Sequence, residues 1–413
     1  MSLSPPRVPP LVQRFVIADG PALDAFGGQR VSSPLTLFDS KLLHSKSALF
    51  WDEVNVGSIS THSVADSSVL MTVGDDGDYV IRQTFQRFNY QPGKTQRILL
   101  TAAEFQPVAD VVKRLGYFSS STLAPHTASF DGVYFESGES SVKVCIAKLG
   151  TINTIEQSGW NMDKMDGTGP SRITIDWQKA QIFFIDLQWL GVGRVRFGVN
   201  VAGVLRYVHE VEHANVVLAV YTSSPNQPLR YEIRSTGGAS SFEHICGSVA
   251  SEGGVEHIGV VRHTDTNGAF INANSTANWY ALIGIRLQAA HVDTTMIPLE
   301  NNVMSVTNDA LHWTLMWNPT VAGTFTYADL NNDSCMQIAV GDTVGNPSTN
   351  TVTGGVHLAG GYIPAGSSIS AAVESALQLG MSVAGVLDEM VLAVKPLSSN
   401  LDVYGSMSWR ELI

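Results

Sequence analysis

The sequence predicts an all-β fold, with an antiparallel β-sandwich or jelly-roll-like body and an extended N-terminal arm. Three observations support this prediction. Apolar and polar residues alternate over short runs that are rich in β-branched and aromatic side chains. The 37 glycines supply turns, and only 15% of the residues are charged. Few segments have a helical period, and those are short, so sheets must form the core.

The first 40 residues form the predicted arm. They carry six prolines, which stiffen the chain and keep it out of a central strand. The segment is nevertheless more apolar than most free tails, so we expect it to dock on the same chain, a symmetry mate or another protein. A disordered terminus is the alternative. The candidate anchor residues are Phe15, Ile17, Phe26 and Phe38.

Residues 41–245 are predicted to form a β-sandwich domain. Residues 78–90 alternate over a long strand, and Pro92-Gly93 then predicts a hairpin or bend before a returning strand. The run IFFIDL within residues 177–197 predicts a strand that is buried on both faces. Residues 109–115 are a helix candidate of one or two turns.

Residues 246–413 are a second β-rich region, which is either a separate domain or part of the same sandwich. The polar GGASS stretch makes a boundary plausible between residues 234 and 254. Strand patterns resume in this region, for example over residues 278–288 and 311–319. Residues 370–379 are the second short helix candidate, because they contain good helix formers.

The charge balance argues against two classes of partner. With 25 Lys and Arg against 37 Asp and Glu, the net charge of −12 repels phosphate backbones and anionic lipid headgroups. We therefore expect no nucleic-acid binding and no membrane insertion. The N-terminus has no basic start followed by an apolar run, which disfavours a signal peptide. Three widely spaced cysteines predict neither a disulfide framework nor a zinc ribbon.

The run HEVEH, from His209 to His213, matches the H-E-x-x-H pattern of zinc proteases. Those enzymes need the pattern on a helix, where residues four apart share a face. Here the preceding residues are β-branched and alternate, so a strand is expected. Two strand positions four apart are separated by roughly 13 Å, too far for one zinc ion. We expect no metal site.

No catalytic group is nominated by the sequence, and no cofactor is expected. Its serines lie in no G-x-S-x-G context, and no cysteine has a catalytic signature. A glycan hydrolase would need two carboxylates across a groove, for which Asp163, Asp166, Asp176 and Asp186 are available. The aromatic clusters are expected to be mostly core. They comprise Trp177, Phe183, Phe184 and Trp189, and also Trp313, Trp317 and Tyr327.

Long segments of the chain resemble a family of virion structural proteins. The family occurs in tailed phages of aquatic bacteria and cyanobacteria, with relatives in large algal viruses. The similarity spans about residues 24–254 and extends weakly to SMSWREL near the C-terminus. It is carried by residues 24–27, 35–41, 77–96, 158–198, 213–234, 242–254 and 406–412.

The resemblance implies a non-enzymatic particle component located in the virion and assembled in the host cytoplasm. The expected role is a tail, baseplate or fibre-type appendage that contacts the host surface. A capsid or neck decoration protein is the alternative, and a glycan hydrolase is a further one. The implied partners are other virion structural proteins and further copies of the chain, with a trimer favoured. Host surface glycan is a possible ligand.

Overall fold

A computed structural model gives the fold of most of the chain. Over the described residues the backbone forms 28 strands and two 3-10 turns, Gln157–Gly159 and Ala289–His291, and no α-helix. All pairings between these strands are antiparallel. The all-β prediction is confirmed. The described residues are 23–25, 27–254, 258–307, 309–342, 347–373, 377–398 and 400–412.

The first fifteen strands form one sandwich of two sheets. They are β1 (Pro34–Lys41), β2 (Trp51–Val56), β3 (Ile59–Ser63), β4 (Ser68–Val73), β5 (Tyr79–Thr84), β6 (Gln96–Ala103), β7 (Val111–Ser119), β8 (Asp131–Ser137), β9 (Val142–Lys148), β10 (Thr151–Glu156), β11 (Gln181–Leu187), β12 (Val195–Val201), β13 (Val204–Val211), β14 (Leu229–Ser235) and β15 (Ser240–Glu252).

Sheet A has the order β13-β12-β11-β6-β15-β4-β3, with β1 also paired to β15, and sheet B has the order β10-β9-β8-β7-β14-β5-β2. Their inner faces share one hydrophobic core. Phe135 of sheet B meets Phe183 and Phe197 of sheet A, with ring centroids 5.1 and 5.4 Å apart. Alternate side chains of each strand therefore interdigitate between the layers, as the period-2 pattern predicts.

The remaining strands form a second sandwich. They are β16 (Val260–Asp265), β17 (Ile271–Ala273), β18 (Trp279–Leu287), β19 (Thr295–Ser305), β20 (Leu311–Trp317), β21 (Thr320–Val321), β22 (Ala328–Asp329), β23 (Met336–Val340), β24 (Thr351–Thr353), β25 (Val356–Ile363), β26 (Ser368–Ala372), β27 (Glu389–Pro396) and β28 (Leu401–Leu412).

Sheet C has the order β16-β28-β19-β26, with β17 paired to β28. Sheet D has the order β21-β24-β18-β27-β20-β25, with β23 paired to β18 and β22. The second core lies between these sheets and includes Trp409 of β28 and Leu392 of β27, both fully buried. The layers approach closely at Gly405, where an added Cβ would lie 2.9 Å from Leu282 Cδ1. A side chain at that position would require the Leu282 side chain to shift.

The two sandwiches contact each other directly. Phe50 packs against the cores of both. Asp52 Oδ2 accepts a hydrogen bond from the Val383 amide at 2.7 Å, and Asp293 Oδ2 accepts one from Ser224 Oγ at 2.8 Å. The contact therefore combines apolar packing with hydrogen bonds across the junction.

The structure corrects the predicted division of the chain. Strand β15 runs through residues 245 and 246 without interruption, so the first sandwich extends to residue 252 and the second region is a sandwich of its own. The end of the predicted arm, Pro34–Lys41, is strand β1 of sheet A. Its proline stands at the first position of the strand, where a missing amide donor is tolerated. Residues 1–22 lie outside the described residues.

The structure decides three local predictions. Residues 109–115 are not helical, because they lead into β7, where Lys113 Nζ is buried and donates to the Glu104 carbonyl at 2.5 Å. Residues 368–372 form β26, and the helix candidate at 370–379 lies partly outside the described residues. The chain after β5 bends and enters the other sheet as β6, so the bend is observed rather than the hairpin.

Within the described part of the chain, neither 3-10 turn is long or apolar enough to cross a membrane, and no other helix is present.

Candidate functional site

Phe38 is a core residue rather than part of an anchor. It lies on β1 with 7% of its surface exposed, and its ring packs against those of Phe50, Trp51 and Phe88 with centroids 6.0, 6.1 and 5.2 Å apart. Its assignment to a docking arm is therefore corrected. The other three anchor candidates, Phe15, Ile17 and Phe26, lie outside the described residues.

The described end of the arm docks on the same chain. The carbonyl of Leu23 accepts hydrogen bonds from Arg30 Nε at 3.0 Å and Arg196 Nη2 at 2.8 Å, and the carbonyl of Ala25 accepts one from Arg194 Nε at 2.8 Å. Leu23 and Ala25 are both buried. Arginines at 194 and 196 lie at the start of β12, so this segment is fixed to sheet A.

A buried carboxylate organises the same region. Asp186 on β11 is fully buried and lies 2.6 Å from Arg30 Nη2, 3.0 Å from Arg97 Nε and 3.5 Å from Arg196 Nη2. Tyr207 donates its hydroxyl to the same side chain. The negative charge of Asp186 lowers the cost of burying the arginine charges around it. The arrangement is a closed ion cluster that ties strands and arm together.

The other acidic candidates hold loops in shape. Asp163 is buried and accepts hydrogen bonds from backbone amides at 3.1 and 3.0 Å. Asp166 accepts two hydrogen bonds from Thr168, at 2.8 and 2.6 Å. Asp176 accepts one from a backbone amide two residues on, at 3.1 Å. Each of these carboxylates, like Asp186, therefore has a structural role that accounts for it.

The two histidines of HEVEH are buried and engaged with the protein. His209 lies on β13, as expected, and its Nδ1 accepts the Asn161 amide at 3.1 Å. His213 lies beyond the end of that strand, with Nδ1 2.7 Å from the Gly193 carbonyl and its ring stacked on Tyr221 at 4.2 Å. Burial lowers the pKa of both imidazoles. No group of three or more metal-binding side chains occurs among the residues that the structure describes.

A second ion cluster lies on the outer face of sheet B. Glu232 is fully buried between Arg114, Arg230 and Arg234. Burial by itself would raise the pKa of Glu232, but the three arginine charges lower it to about 2. Arg230 Nη1 also donates to Ser120 Oγ at 2.7 Å, in the loop that follows β7. Arg114 also pairs with Glu136 at 2.7 Å, so the ion pairs of this cluster connect β7, β8 and β14.

Most aromatic residues singled out from the sequence are in the cores. Trp177, Phe183, Trp313 and Trp317 belong to the two cores and are at most 8% exposed. Phe184 is fully buried but lies outside both cores. Trp189 and Tyr327 are half-buried. The expectation that these clusters are mostly core is confirmed, and an exposed aromatic surface has to be sought elsewhere.

An open groove on the outer face of sheet D exposes such a surface. Trp279 of β18 contacts the imidazoles of His312 and His357, with ring centroids 4.8 and 5.6 Å apart. Tyr362, which is 67% exposed, stacks on His312 at 4.5 Å with the ring planes 21° apart. The groove has a volume of about 470 Å³. Its lining residues are Trp279, His312, Thr314, His357, Leu358, Ala359 and Gly360.

Strand register explains how these residues meet. On β20, Leu311 and Trp313 point into the core, so His312 and Thr314 point outward. His312 stands opposite Tyr362 of β25, and a bulge in β25 places His357 opposite Met316. Alternation in LHWTLMW could have indicated the outward histidine. The partners on β25 are more than 40 residues away in sequence, and no local pattern connects them.

Electrostatics in the groove differ from those of the whole chain. Lys395 of β27 stands directly opposite His312 and is therefore on the same face. Burial lowers the pKa of His312, and the nearby charges of His357 and Lys395 lower it further. Thr314 Oγ1 lies 2.9 Å from His357 Nδ1 and 3.1 Å from the Ala359 carbonyl, which holds that imidazole in place. None of the lining residues is acidic.

A second cleft lies at the junction of the sandwiches. It has a volume of about 510 Å³ and is lined by Phe85, Arg286, Asn318, Asp388 and Glu389 among others. Burial raises the pKa of Asp388 to about 6, although Asn318 donates a hydrogen bond to Oδ1 at 2.7 Å. A buried carboxyl group of raised pKa in a cleft is a feature of some acid catalysts as well as of structural sites.

Comparisons with known proteins add loose structural similarities. No family model matches the chain, and no curated protein matches it. A β-glucanase of Bacillus licheniformis is 8% identical, with a TM-score of 0.34, over 53% of this chain and 98% of that one. A glycoside hydrolase family protein of Mycobacterium thermorestibile is 10% identical, with a TM-score of 0.37, over 52% and 99%. A legume lectin-like domain of Entamoeba histolytica is 10% identical, with a TM-score of 0.33, over 54% and 100%. Similarities this remote say nothing about the ligand or activity of this chain.

Proposed function

We propose that the protein is a non-enzymatic structural protein of a phage virion, an assembled tail, baseplate or fibre-type component that contacts the host surface. The observation that carries the proposal is the groove of sheet D. Its rings lie on a rigid sheet and remain accessible, and its lining residues include no acidic side chain and no cysteine. Such a surface favours contact with a partner over covalent chemistry.

The rest of the molecule supports a scaffold role. The buried carboxylates of Asp186 and Glu232 each pair with three arginines in closed clusters. These clusters and the two hydrophobic cores give a stiff body that keeps the groove in a fixed place. Rigid sheets position a binding surface more precisely than loops do.

Assembly is the second part of the proposal. The segments that resemble virion proteins lie mainly in the first sandwich, within residues 24–254. We propose that this sandwich contacts other virion proteins and further copies of the chain, most simply in a trimer, and that the second sandwich faces outward. The alternative location is the capsid or neck, where the protein would act as a decoration.

Mass spectrometry of purified virions tests the proposal. We expect the chain at a fixed, symmetric copy number per particle, and we expect light scattering of the purified protein to show a trimer. Absence of the chain from virions would overturn the proposal. A monomer both in solution and in the particle would overturn only the trimer.

A glycan hydrolase is the second candidate, which Asp388 favours. Its pKa of about 6 would keep part of the side chain protonated near neutral pH, as a general acid requires. A reducing-sugar assay on host surface polysaccharide distinguishes the two candidates. Sugar release that is lost in Asp388→Asn would support the hydrolase, whereas no release by the wild-type protein would support the structural role.

A further inference from the structure

We propose that the groove of sheet D binds acidic polysaccharide, a chain of pyranose rings that carries carboxylates. The inference rests on the proposed function, because it names the chemistry of the host surface that the particle would contact. Three features of the groove carry it, namely its ring faces, its hydrogen-bonding groups and its charge.

Ring faces supply the first argument. The rings of His357, Trp279, His312 and Tyr362 follow one another, with neighbouring centroids 5.6, 4.8 and 4.5 Å apart. The negative face of an aromatic ring attracts the slightly positive C–H groups that cover one side of a pyranose ring. Tyr362 covers one face of His312, so its own exposed outer face and the ring of Trp279 give two separate stacking positions, which favours a chain over a single monosaccharide.

Hydrogen-bonding groups decide between a neutral and an acidic sugar. A neutral sugar presents many hydroxyl donors, and sites for it need acceptors such as carboxylates or amides. The lining residues contain no Asp, Glu, Asn or Gln. They instead contain two imidazoles, of which His357 is held by Thr314 at 2.9 Å. A neutral imidazole carries one N–H donor, which can donate to a carboxylate, and no lining side chain brings a negative charge against such a ligand.

The charge beside the groove also favours an acidic sugar over a neutral one. Lys395, opposite His312 on the same face, is the only lysine in the sequence after Lys179. The single ammonium group of the second sandwich therefore lies beside this groove, in a chain whose net charge is −12. An ammonium group beside a groove with no acidic lining residue attracts a carboxylate. The negative charge of the whole chain opposes a densely charged nucleic acid.

Binding of matched polysaccharides tests the inference. The full-length protein is titrated with polygalacturonate, with alginate and with methyl-esterified polygalacturonate, which has the same rings without the charge. We expect binding of at least one acidic polymer, weaker binding of the ester, and a decrease in affinity as salt is added. Failure to bind either acidic polymer, or stronger binding of the ester, would overturn the inference.

Substitutions locate the binding. Trp279→Ala and Tyr362→Ala should each weaken acidic-polymer binding about tenfold, and Lys395→Gln should remove the preference for the acid over the ester. Phe270→Ala is the control, because Phe270 is 42% exposed and belongs neither to the lining residues nor to the four neighbouring rings. Unchanged binding in all three groove variants would overturn the assignment to this groove. Tyr362 is 67% exposed, so its variant should fold even if Trp279→Ala does not.

The outcome is separable from the proposed function. A chain that is present in virions but binds no acidic polymer would leave the structural role standing and overturn only this inference. Binding of acidic polymer by a chain that is absent from virions would overturn the structural role and leave the assignment of the groove standing.

Discussion

Arg30 Nη2 donates a hydrogen bond to the buried carboxylate of Asp186 at 2.6 Å, and this contact ties the described end of the arm to the centre of sheet A. Arg30 also pairs with Glu252 at the end of β15. The arm, β11 and β15 therefore meet at one ionic cluster. Residues that are 156 and 222 positions from Arg30 along the chain are held together there.

Removing the Asp186 charge should be strongly destabilising. Asp186→Ala leaves Arg30, Arg97 and Arg196 without their shared partner, and loss of one member of a buried ion cluster costs about 3–5 kcal/mol. Urea denaturation measures the loss. Asp176→Ala is the control, since its exposed pair with Lys179 should be worth less than about 1 kcal/mol. Equal effects of the two substitutions would contradict the cluster.

Truncation separates the arm from the body. A chain that begins at residue 23 should keep β-type circular dichroism but fail to enter virions or to form trimers. A chain that begins at residue 42 should in addition lose stability, because it lacks β1 and the buried ring of Phe38. Normal assembly of the shorter deletion would show that residues 1–22 are not an anchor.

Phe184 is a test of the buried strand β11. It is fully buried, and its ring lies 5.1 Å from that of Tyr207. Phe184→Ala should cost about 3–5 kcal/mol through lost transfer free energy and a cavity. Ile182→Ala, two residues away on the same face and 39% exposed in the wild type, should cost much less. A loss below about 1 kcal/mol for Phe184→Ala, measured by urea denaturation, would be incompatible with the packing described.

Asp388 should make the free energy of unfolding depend on pH. Its pKa rises from 3.8 to about 6 on folding, so the folded protein keeps a proton that the unfolded chain releases in this window. The resulting stabilisation is present below pH 4 and is lost as the pH rises through about 6. Compared with Asp388→Asn, the wild type should lose about 2 kcal/mol of stability between pH 4 and pH 7. Parallel pH profiles of the two proteins in denaturant titrations would rule this out.

The HEVEH run predicts the metal content of the purified protein. We expect no stoichiometric zinc, because His209 and His213 belong to no group of three or more metal-binding side chains among the residues that the structure describes. Elemental analysis measures this directly. One zinc per chain that disappears in the His209→Ala, His213→Ala double variant would show that the histidines bind metal.

Local sequence patterns predict several strands correctly. The run IFFIDL predicted the buried strand β11, and LHWTLMW predicted β20. The helix predicted for residues 109–115 is wrong, because tertiary contacts override the helix propensity of the segment. The main contact is that of the buried Lys113, which donates to a backbone carbonyl. The assignment of Phe38 to the arm is wrong, because the preceding prolines favour an extended arm whereas the strand that begins at Pro34 pairs with β15 of sheet A.

The candidate site could not be predicted in the same way. Trp279, His312, His357 and Tyr362 lie on three strands, and the pairing of β18 with β27, of β27 with β20 and of β20 with β25 places them on one sheet. Strand order is a property of the whole sheet, and short-range patterns do not encode it. The alternation indicates which positions point outward, His312 among them. It does not indicate which outward positions on different strands are neighbours.

The location of the protein on intact virions is the most direct test of the central claim. Gold-labelled antibody against the second sandwich should decorate the tail, baseplate or fibres in a symmetric pattern. Label on the capsid or neck would move the protein to the alternative position. Purified virions that carry no label, with denatured particles also negative for the chain, would contradict the claim that it is a virion structural protein.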